Sequence, residues 1–304
     1  MRSVFYRQVR CVPAVLVLGF AASLQAHAGV LADIQKRGEV VLGYREDGAP
    51  ISYLAKGDAQ PSGFAVDLCR AVIDQMVAQK VLPAGLRIKY VPLTNAERFK
   101  AITERRVDAE CADTTNNRER REKIGVAFTI PHYFAGVRMM VTKKSGIKRI
   151  EDLRQKRVLY TKGTTTHQIV QERNGSLNLN LTAIECTTPA ECFRDLNAGK
   201  GDAYMMDDIQ LYALRATAPT PDDWDIVGKM LSIEPLAIML PKNDDEWKGQ
   251  FDVILRKMIY DGTFAAKYKT WFESPLANLK VNFNIPMNYL LKDSLKFPTD
   301  KVGD

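Results

Sequence analysis

Strand-like and helix-like segments alternate along most of this chain, and that rhythm restricts the fold more than any other feature. Glu39–Tyr44 has the apolar make-up of a buried strand, and Gly63–Gln79 carries Leu68, Val72 and Met76 on one helical face. Arg87–Pro92 reads as a strand, Glu97–Thr103 as a helix and Val107–Ala109 as a short strand. A polar helix at Asn116–Lys123 then leads into a strand at Ile124–Phe128. After Gly136 an extended crossing runs to Thr142, and a second series begins. Its strands are Arg157–Tyr160, Leu181–Ile184 and Ala203–Met206, interleaved with helices at Thr165–Arg173, Ala190–Ala198 and Asp208–Arg215. Strands at Trp224–Val227 and Ile233–Leu240 follow. In Asp244–Tyr260, Trp247, Phe251, Ile254 and Met258 recur at helical spacing, and Phe264, Tyr268 and Trp271 mark a last helix. Alternation of this kind predicts doubly wound α/β sheets with ligands at the carboxyl ends of the strands. Two series joined by two crossings predict two lobes around a cleft.

The first 28 residues stand outside that pattern. Arg2, Arg7 and Arg10 precede an apolar run at Val12–Leu24, and Ala26-His27-Ala28 closes the segment with small residues. This is the layout of a cleaved export signal, with cleavage expected after Ala28. The run is interrupted by Pro13, Gly19 and Ser23 and is shorter than a membrane anchor requires. Removing the segment takes away three arginines and no acid, so the net charge falls from +7 to +4. A chain that is 46% hydrophobic is not a disordered one. Its basic residues form no stripe interleaved with exposed aromatics, so no nucleic-acid partner is expected. The expected product is a soluble, monomeric, exported protein, with lobe one at 29–136 plus 236–304 and lobe two at 137–235.

Cys11 leaves with the signal and four cysteines remain, an even number that suits an oxidising compartment. Cys186 and Cys192 flank a short Thr-Thr-Pro turn, which permits a local bridge between them. Cys69 falls on an apolar helix face and Cys111 at a strand end, a placement equally compatible with two buried thiols or a bridge. None has metal-binding spacing, and only His132 and His167 remain as histidines, far apart. No HExxH, GxSxG, phosphate loop or dinucleotide fingerprint occurs, so neither a metal, a cofactor nor an enzymatic activity is expected.

Three polar stretches instead have the chemistry of anion and ammonium capture. Lys162-Gly163-Thr164-Thr165-Thr166 follows a strand and opens a helix, where backbone N–H groups and hydroxyls hold a carboxylate. Asp113-Thr114-Thr115-Asn116-Asn117-Arg118-Glu119-Arg120 is a polar loop with an arginine one helical turn beyond its hydroxyls, able to grip a carboxylate bidentately. Met205-Met206-Asp207-Asp208 ends a buried strand with a carboxylate suited to an ammonium. Taken singly, each is also what an ordinary helix cap looks like. Together they describe an α-amino acid.

These residues carry a family resemblance, together with Gly43-Tyr-Arg-Glu, Glu110-Cys-Ala-Asp-Thr-Thr-Asn-Asn-Arg-Glu-Arg and the tail from Trp271 to Phe297. The chain resembles the periplasmic amino-acid-binding proteins of ABC transporters, family 3 of the bacterial solute-binding proteins, and within them the glutamate/aspartate-binding branch. The resemblance implies a two-lobed, type II periplasmic-binding-protein-like fold with a two-strand hinge, and a membrane permease as partner. It implies Thr115, Arg120 and Thr165 for the α-carboxylate and Asp207 for the α-amino group. Arg45 and Arg98 then meet the side-chain carboxylate of L-glutamate or L-aspartate, and Asn95 takes a place usually held by serine. Two positions depart from the branch. Asp113 stands where serine is usual, either as a second counterion for the ammonium or as a group that repels an acidic ligand. The loop before Ala190 reads Thr187-Thr188-Pro189 where the branch can have a histidine. Two other uses of such a fold stay open: a cyclohexadienyl or arogenate dehydratase, and a ligand-sensing module for a membrane receptor.

Overall fold

A computed structural model describes Met1 and residues 29–303; the expected export signal and its cleavage point lie outside the described residues. The first lobe is built on strands β1 (Glu39–Tyr44), β4 (Arg87–Pro92), β5 (Ala109–Thr115), β6 (Val126–Phe128), β7 (Tyr133–Ala135) and β13 (Glu234–Pro241). A two-stranded hairpin, β2 (Asp47–Gly48) and β3 (Ser52–Tyr53), follows β1. The second lobe holds β8 (Val137–Thr142), β9 (Arg157–Thr161), β10 (Thr182–Cys186), β11 (Ala203–Asp207) and β12 (Trp224–Val227).

The first sheet runs β4-β1-β5-β13-β6, with β7 also on β13; β1 is parallel to β4 and β5, and β13 is antiparallel to its neighbours. The second runs β10-β9-β11-β8-β12, again parallel in one half and antiparallel through β8. The chain passes from the first sheet to the second between Ala135 and Val137, and returns between Val227 and Glu234. Gly136 sits in the first crossing, where its amide donates to Asp208 Oδ1 (3.4 Å) and its carbonyl accepts from the Asp208 amide (2.9 Å).

Every residue of β5, β11 and β13 is buried, as strands covered on both faces must be. On one face of the first sheet, α2 (Phe64–Ala78), α7 (Asp245–Tyr260) and α8 (Thr263–Tyr268) bury Phe64, Leu68, Trp247, Phe251 and Phe264. The other face buries Ala101 and Ile102 of α3 (Arg98–Thr103) with Phe128 and Met239. The second sheet is likewise packed on both sides, by α4 (Thr166–Ser176), α5 (Pro189–Asn197) and α6 (Asp208–Thr217). Helix α2 starts at Gly63, which has φ +126° and packs so closely on the Ile51 carbonyl that a Cβ would lie 2.4 Å from its oxygen. Only glycine tolerates that approach.

Several sequence expectations are corrected. The strand read as Val107–Ala109 lies at Ala109–Thr115, so Asp113, Thr114 and Thr115 are strand residues paired towards β13, not loop. Their polar side chains disguise the strand, although threonine's branched Cβ favours it. The helix expected at Asn116–Lys123 contracts, ending in a wide five-residue turn at Arg120–Ile124 closed by Gly125. Cys69 on α2 and Cys111 on β5, for which thiols and a bridge were equally open, form a disulfide, and the bridge expected between Cys186 and Cys192 is present. An initial helix, α1 (Val30–Arg37), and a late one, α9 (Tyr289–Ser294), were not read from the sequence. The tail carrying α9 returns across lobe one, where Asn288 Nδ2 donates to the Phe134 carbonyl (2.7 Å) and the Asp300 carbonyl accepts from Asn116 Nδ2 (3.0 Å).

Candidate ligand-binding site

The carboxyl ends of β4 and β5 in one sheet, and of β9 and β11 in the other, converge on one small cavity between the lobes. Asn95, Arg98, Asp113, Thr115 and Arg120 line it from lobe one; Thr164, Thr165, Met206, Asp207 and Gln210 line it from lobe two. They close in so far that only about 10 Å³ is left between them, room for about one water molecule.

Lobe one supplies the cations. Arg98 opens α3 after the turn that follows β4, and Arg120 opens the turn after β5. Both guanidiniums lie against the ring of Phe99, at 4.9 Å and 5.2 Å from its centre. Arg120 Nη1 donates to the Thr115 carbonyl (2.7 Å), which fixes the arginine to the strand end. Arg98 donates through Nη1 to Asn95 Oδ1 and through Nη2 to the Gly163 carbonyl of the other lobe (3.2 Å). Its Nε is buried without a partner. Burial first, then the neighbouring guanidiniums of Arg120 and Arg45, lower the Arg98 pKa to about 9. Burial likewise lowers that of Arg120, against the pull of Glu234, Glu110 and Asp207. Two buried cations that disfavour each other form a place an anion relieves.

Arg45 stands one step back. Its Nη1 donates to Asn95 Oδ1 (2.5 Å), its Nη2 to Asp47 Oδ1 (2.8 Å), and it lines an adjoining cavity with Asp47, Thr94, Thr187 and Thr188. Asn95 belongs to both cavities, and its one carbonyl oxygen accepts from both arginines. Beneath them lies Glu110, fully buried, with Oε1 accepting from Thr114 Oγ1 (3.0 Å) and Oε2 unpartnered; burial pushes its carboxyl up against the pull of Arg98.

Lobe two supplies hydroxyls and an acid. Thr165 caps α4, yet its side chain makes no capping bond, while Thr164 Oγ1 donates back to the Thr161 carbonyl (2.7 Å). Gly163, at φ +71°, brings this turn against the Asn95 backbone across the cleft. Asp207 ends β11 and precedes α6, again without a capping bond; its Oδ1 is buried with no partner. Burial, reinforced by Glu234, Asp113 and Asp208, raises its pKa well above the ordinary carboxylate range. Such an acid gains most from an incoming cation.

Sequence reasoning missed Gln210, whose Nε2 donates across the cleft to Asp113 Oδ2. It also missed the bond at the rim from Gln168 Nε2 to Glu119 Oε2 (3.1 Å). Both glutamines lie on helices where a polar residue is unremarked, and only the meeting of two lobes gives them partners. Among the described residues no cluster of His, Cys, Asp and Glu could hold a metal ion, and no helix is long and apolar enough to cross a membrane.

Two doubly wound lobes that close charged groups from both sides on a small cavity define a solute-capturing binding protein. The chain belongs to the bacterial extracellular solute-binding proteins, family 3, whose family model matches residues 40–274. It is 33% identical to the glutamate/aspartate import solute-binding protein of Salmonella typhimurium, covering 95% of this chain and 97% of that one. It is 31% identical to the L-glutamate/L-aspartate-binding protein of Pseudomonas aeruginosa, covering 97% of this chain and 99% of the relative. Among solved structures it is similar to the ancestral amino acid-binding protein AncCDT-1, a precursor of cyclohexadienyl dehydratase. That match has a TM-score of 0.66 at 27% identity and covers 80% of this chain and 99% of that one. The family is one of binding proteins, as the sequence resemblance implied.

Proposed function

We propose that this chain is the solute-binding component of an amino-acid ABC importer, capturing L-glutamate or L-aspartate between its lobes. One observation carries the reading: the buried guanidiniums of Arg98 and Arg120 face, across one cavity, the buried and unpartnered Oδ1 of Asp207. A dicarboxylic amino acid presents two anionic ends and one ammonium, the complement of that arrangement. Thr115, Arg120 and Thr165 meet the α-carboxylate, Asp207 the ammonium, and Arg98 the side-chain carboxylate. Arg45 supports that last contact through Asn95, whose carbonyl fixes both guanidiniums. Bidentate arginine pairing offsets the desolvation that a neutral pocket would leave uncompensated.

In this reading lobe one comprises 29–136 plus 236–304 and lobe two 137–235, hinged near Gly136–Met139 and Glu234–Ala237. Ligand docks first on lobe one. Closure then carries Thr165 and Asp207 onto it, so the ligand itself stabilises the closed form. The Gly136–Asp208 bonds attach the residue after Asp207 directly to the first crossing. The chain acts as a monomer in the periplasm after cleavage at Ala28, and its closed form docks on a membrane permease. The dehydratase reading has less support, because Arg45 and Arg98 charge and crowd the space a ring would need.

Titration calorimetry of the refolded, ligand-free protein from Gly29 onwards, against a panel of amino acids, tests the reading. Heat with glutamate or aspartate is expected. Silence with both, but binding of a neutral or basic amino acid, would overturn the acidic assignment.

A further inference from the structure

We infer that Gln210, oriented by Asp113, completes the subsite for the ligand's amino group and makes the site selective for an ammonium over a hydroxyl. The inference rests on the proposed amino-acid ligand. Gln210 and Asp113 are both buried, line the same cavity and hydrogen-bond across the cleft. An ionised carboxylate can only accept, so the amide must turn its nitrogen to Asp113. The amide is planar, and its oxygen is thereby held on the opposite side. That oxygen, Oε1, is buried and has no donor.

Asp207 Oδ1 is in the same condition, in the residue that precedes α6, and Gln210 lies three positions further on. Residues three apart at a helix start share a face. Two buried acceptors in one cavity thus await donors from the guest. A carboxylate brings none and a hydroxyl brings one, whereas an ammonium brings three, enough for both. Asp113 therefore does not act on the ligand as a bare second charge. It is a positioning residue, which decides which end of the Gln210 amide faces the guest. Asp113 thereby has a role at a position where the resemblance to this branch leads to serine.

The experiment compares L-aspartate with L-malate, its 2-hydroxy counterpart, by calorimetry on the unmodified protein, Gln210→Met and Asp113→Asn. A hydroxyl satisfies Asp207 alone, so Gln210→Met costs the hydroxy acid little and the amino acid about tenfold or more. The aspartate-to-malate affinity ratio should therefore shrink by about tenfold, a change that a merely looser cleft, weakening both ligands alike, does not produce. Added to Gln210→Met, Asp113→Asn should shrink the ratio no further, whereas loss of a bare counterion would; alone, Asp113→Asn lets the Gln210 amide turn its nitrogen inward and should shrink the ratio in the same way. It also serves if Gln210→Met fails to fold. An unchanged ratio in both variants overturns the inference. If the unmodified protein prefers a neutral amino acid, the acidic assignment fails on its own, and the same comparison is run with that amino acid and its hydroxy analogue. If it binds no α-amino acid, both readings fall.

Discussion

Replacing Asp207 by asparagine should let the ligand-free protein close more readily while nearly abolishing ligand binding. In the closed geometry Asp207 Oδ1 is buried without a partner, close to the like charges of Glu234, Asp113 and Asp208. Its pKa is thus higher with the cleft closed than with it open to water, so closing an empty cleft costs little at this group below the ordinary carboxylate pKa and more as pH rises towards the raised one. Asparagine keeps the shape without the charge. A buried, uncompensated polar or charged group costs on the order of 1–3 kcal/mol. Removing it should raise the closed-to-open ratio of the ligand-free protein by roughly 5- to 150-fold at pH 8, and by much less at pH 4. The same change leaves the ligand's ammonium without its counterion, a loss of about 2–5 kcal/mol, or roughly 30-fold to several thousand-fold in Kd. The distance between probes on the two lobes, read at several pH values with and without aspartate, alongside calorimetry, measures both effects. A variant that stays as open as the unmodified protein when ligand-free at pH 8, or that keeps its affinity within about threefold, would refute the argument from burial.

Two further outcomes follow from the same geometry. Arg98→Ala should weaken glutamate by at least about 30-fold and glutamine by less than about fivefold, because only the acid needs a buried guanidinium at that end; equal losses in calorimetry would detach Arg98 from the side-chain carboxylate. Removing the Cys69–Cys111 bridge, which closes a 42-residue separation between α2 and β5, with a double serine variant should cost about 4 kcal/mol by loop entropy. Denaturant unfolding reads that loss, and a cost below about 1 kcal/mol would show that chain entropy is not what the bridge restricts.

The fold was legible because period and burial agree along most of the chain. Apart from the acids that end β11 and begin β13, those strands are continuous apolar runs, and α7 repeats its aromatic and aliphatic residues at helical spacing. The lining of the candidate cavity was legible where a residue's position at a strand end is itself a signal, as for Asp207 after Met205-Met206 and Thr165 after Gly163. It was obscured where chemistry and secondary structure disagree. Asp113 to Thr115 read as loop because the polar groups that face the cavity break the apolar pattern of β5. Gln210 was invisible because its partner belongs to the other lobe, a hundred residues away in effect and one hydrogen bond away in space. The Cys69–Cys111 pairing was undecidable from sequence for the same reason: α2 and β5 each look complete until one is laid on the other.

The placement of β13 has a consequence for the order in which the molecule can assemble. Any process that threads the chain from its amino end delivers 137–227, and with it all five strands of the second sheet, before Glu234 arrives. The first sheet is then still in two pieces, β4-β1-β5 on one side and β6 on the other, because β13 is the strand that joins them. Half of the cavity, the arginine-bearing half, therefore waits on residues that emerge late. The tail that reaches Asn116 comes later still. The arginine-lined face of the proposed site is thus a product of completed delivery: a chain halted midway contains the Asp207 lobe and no arginine lobe to close upon it.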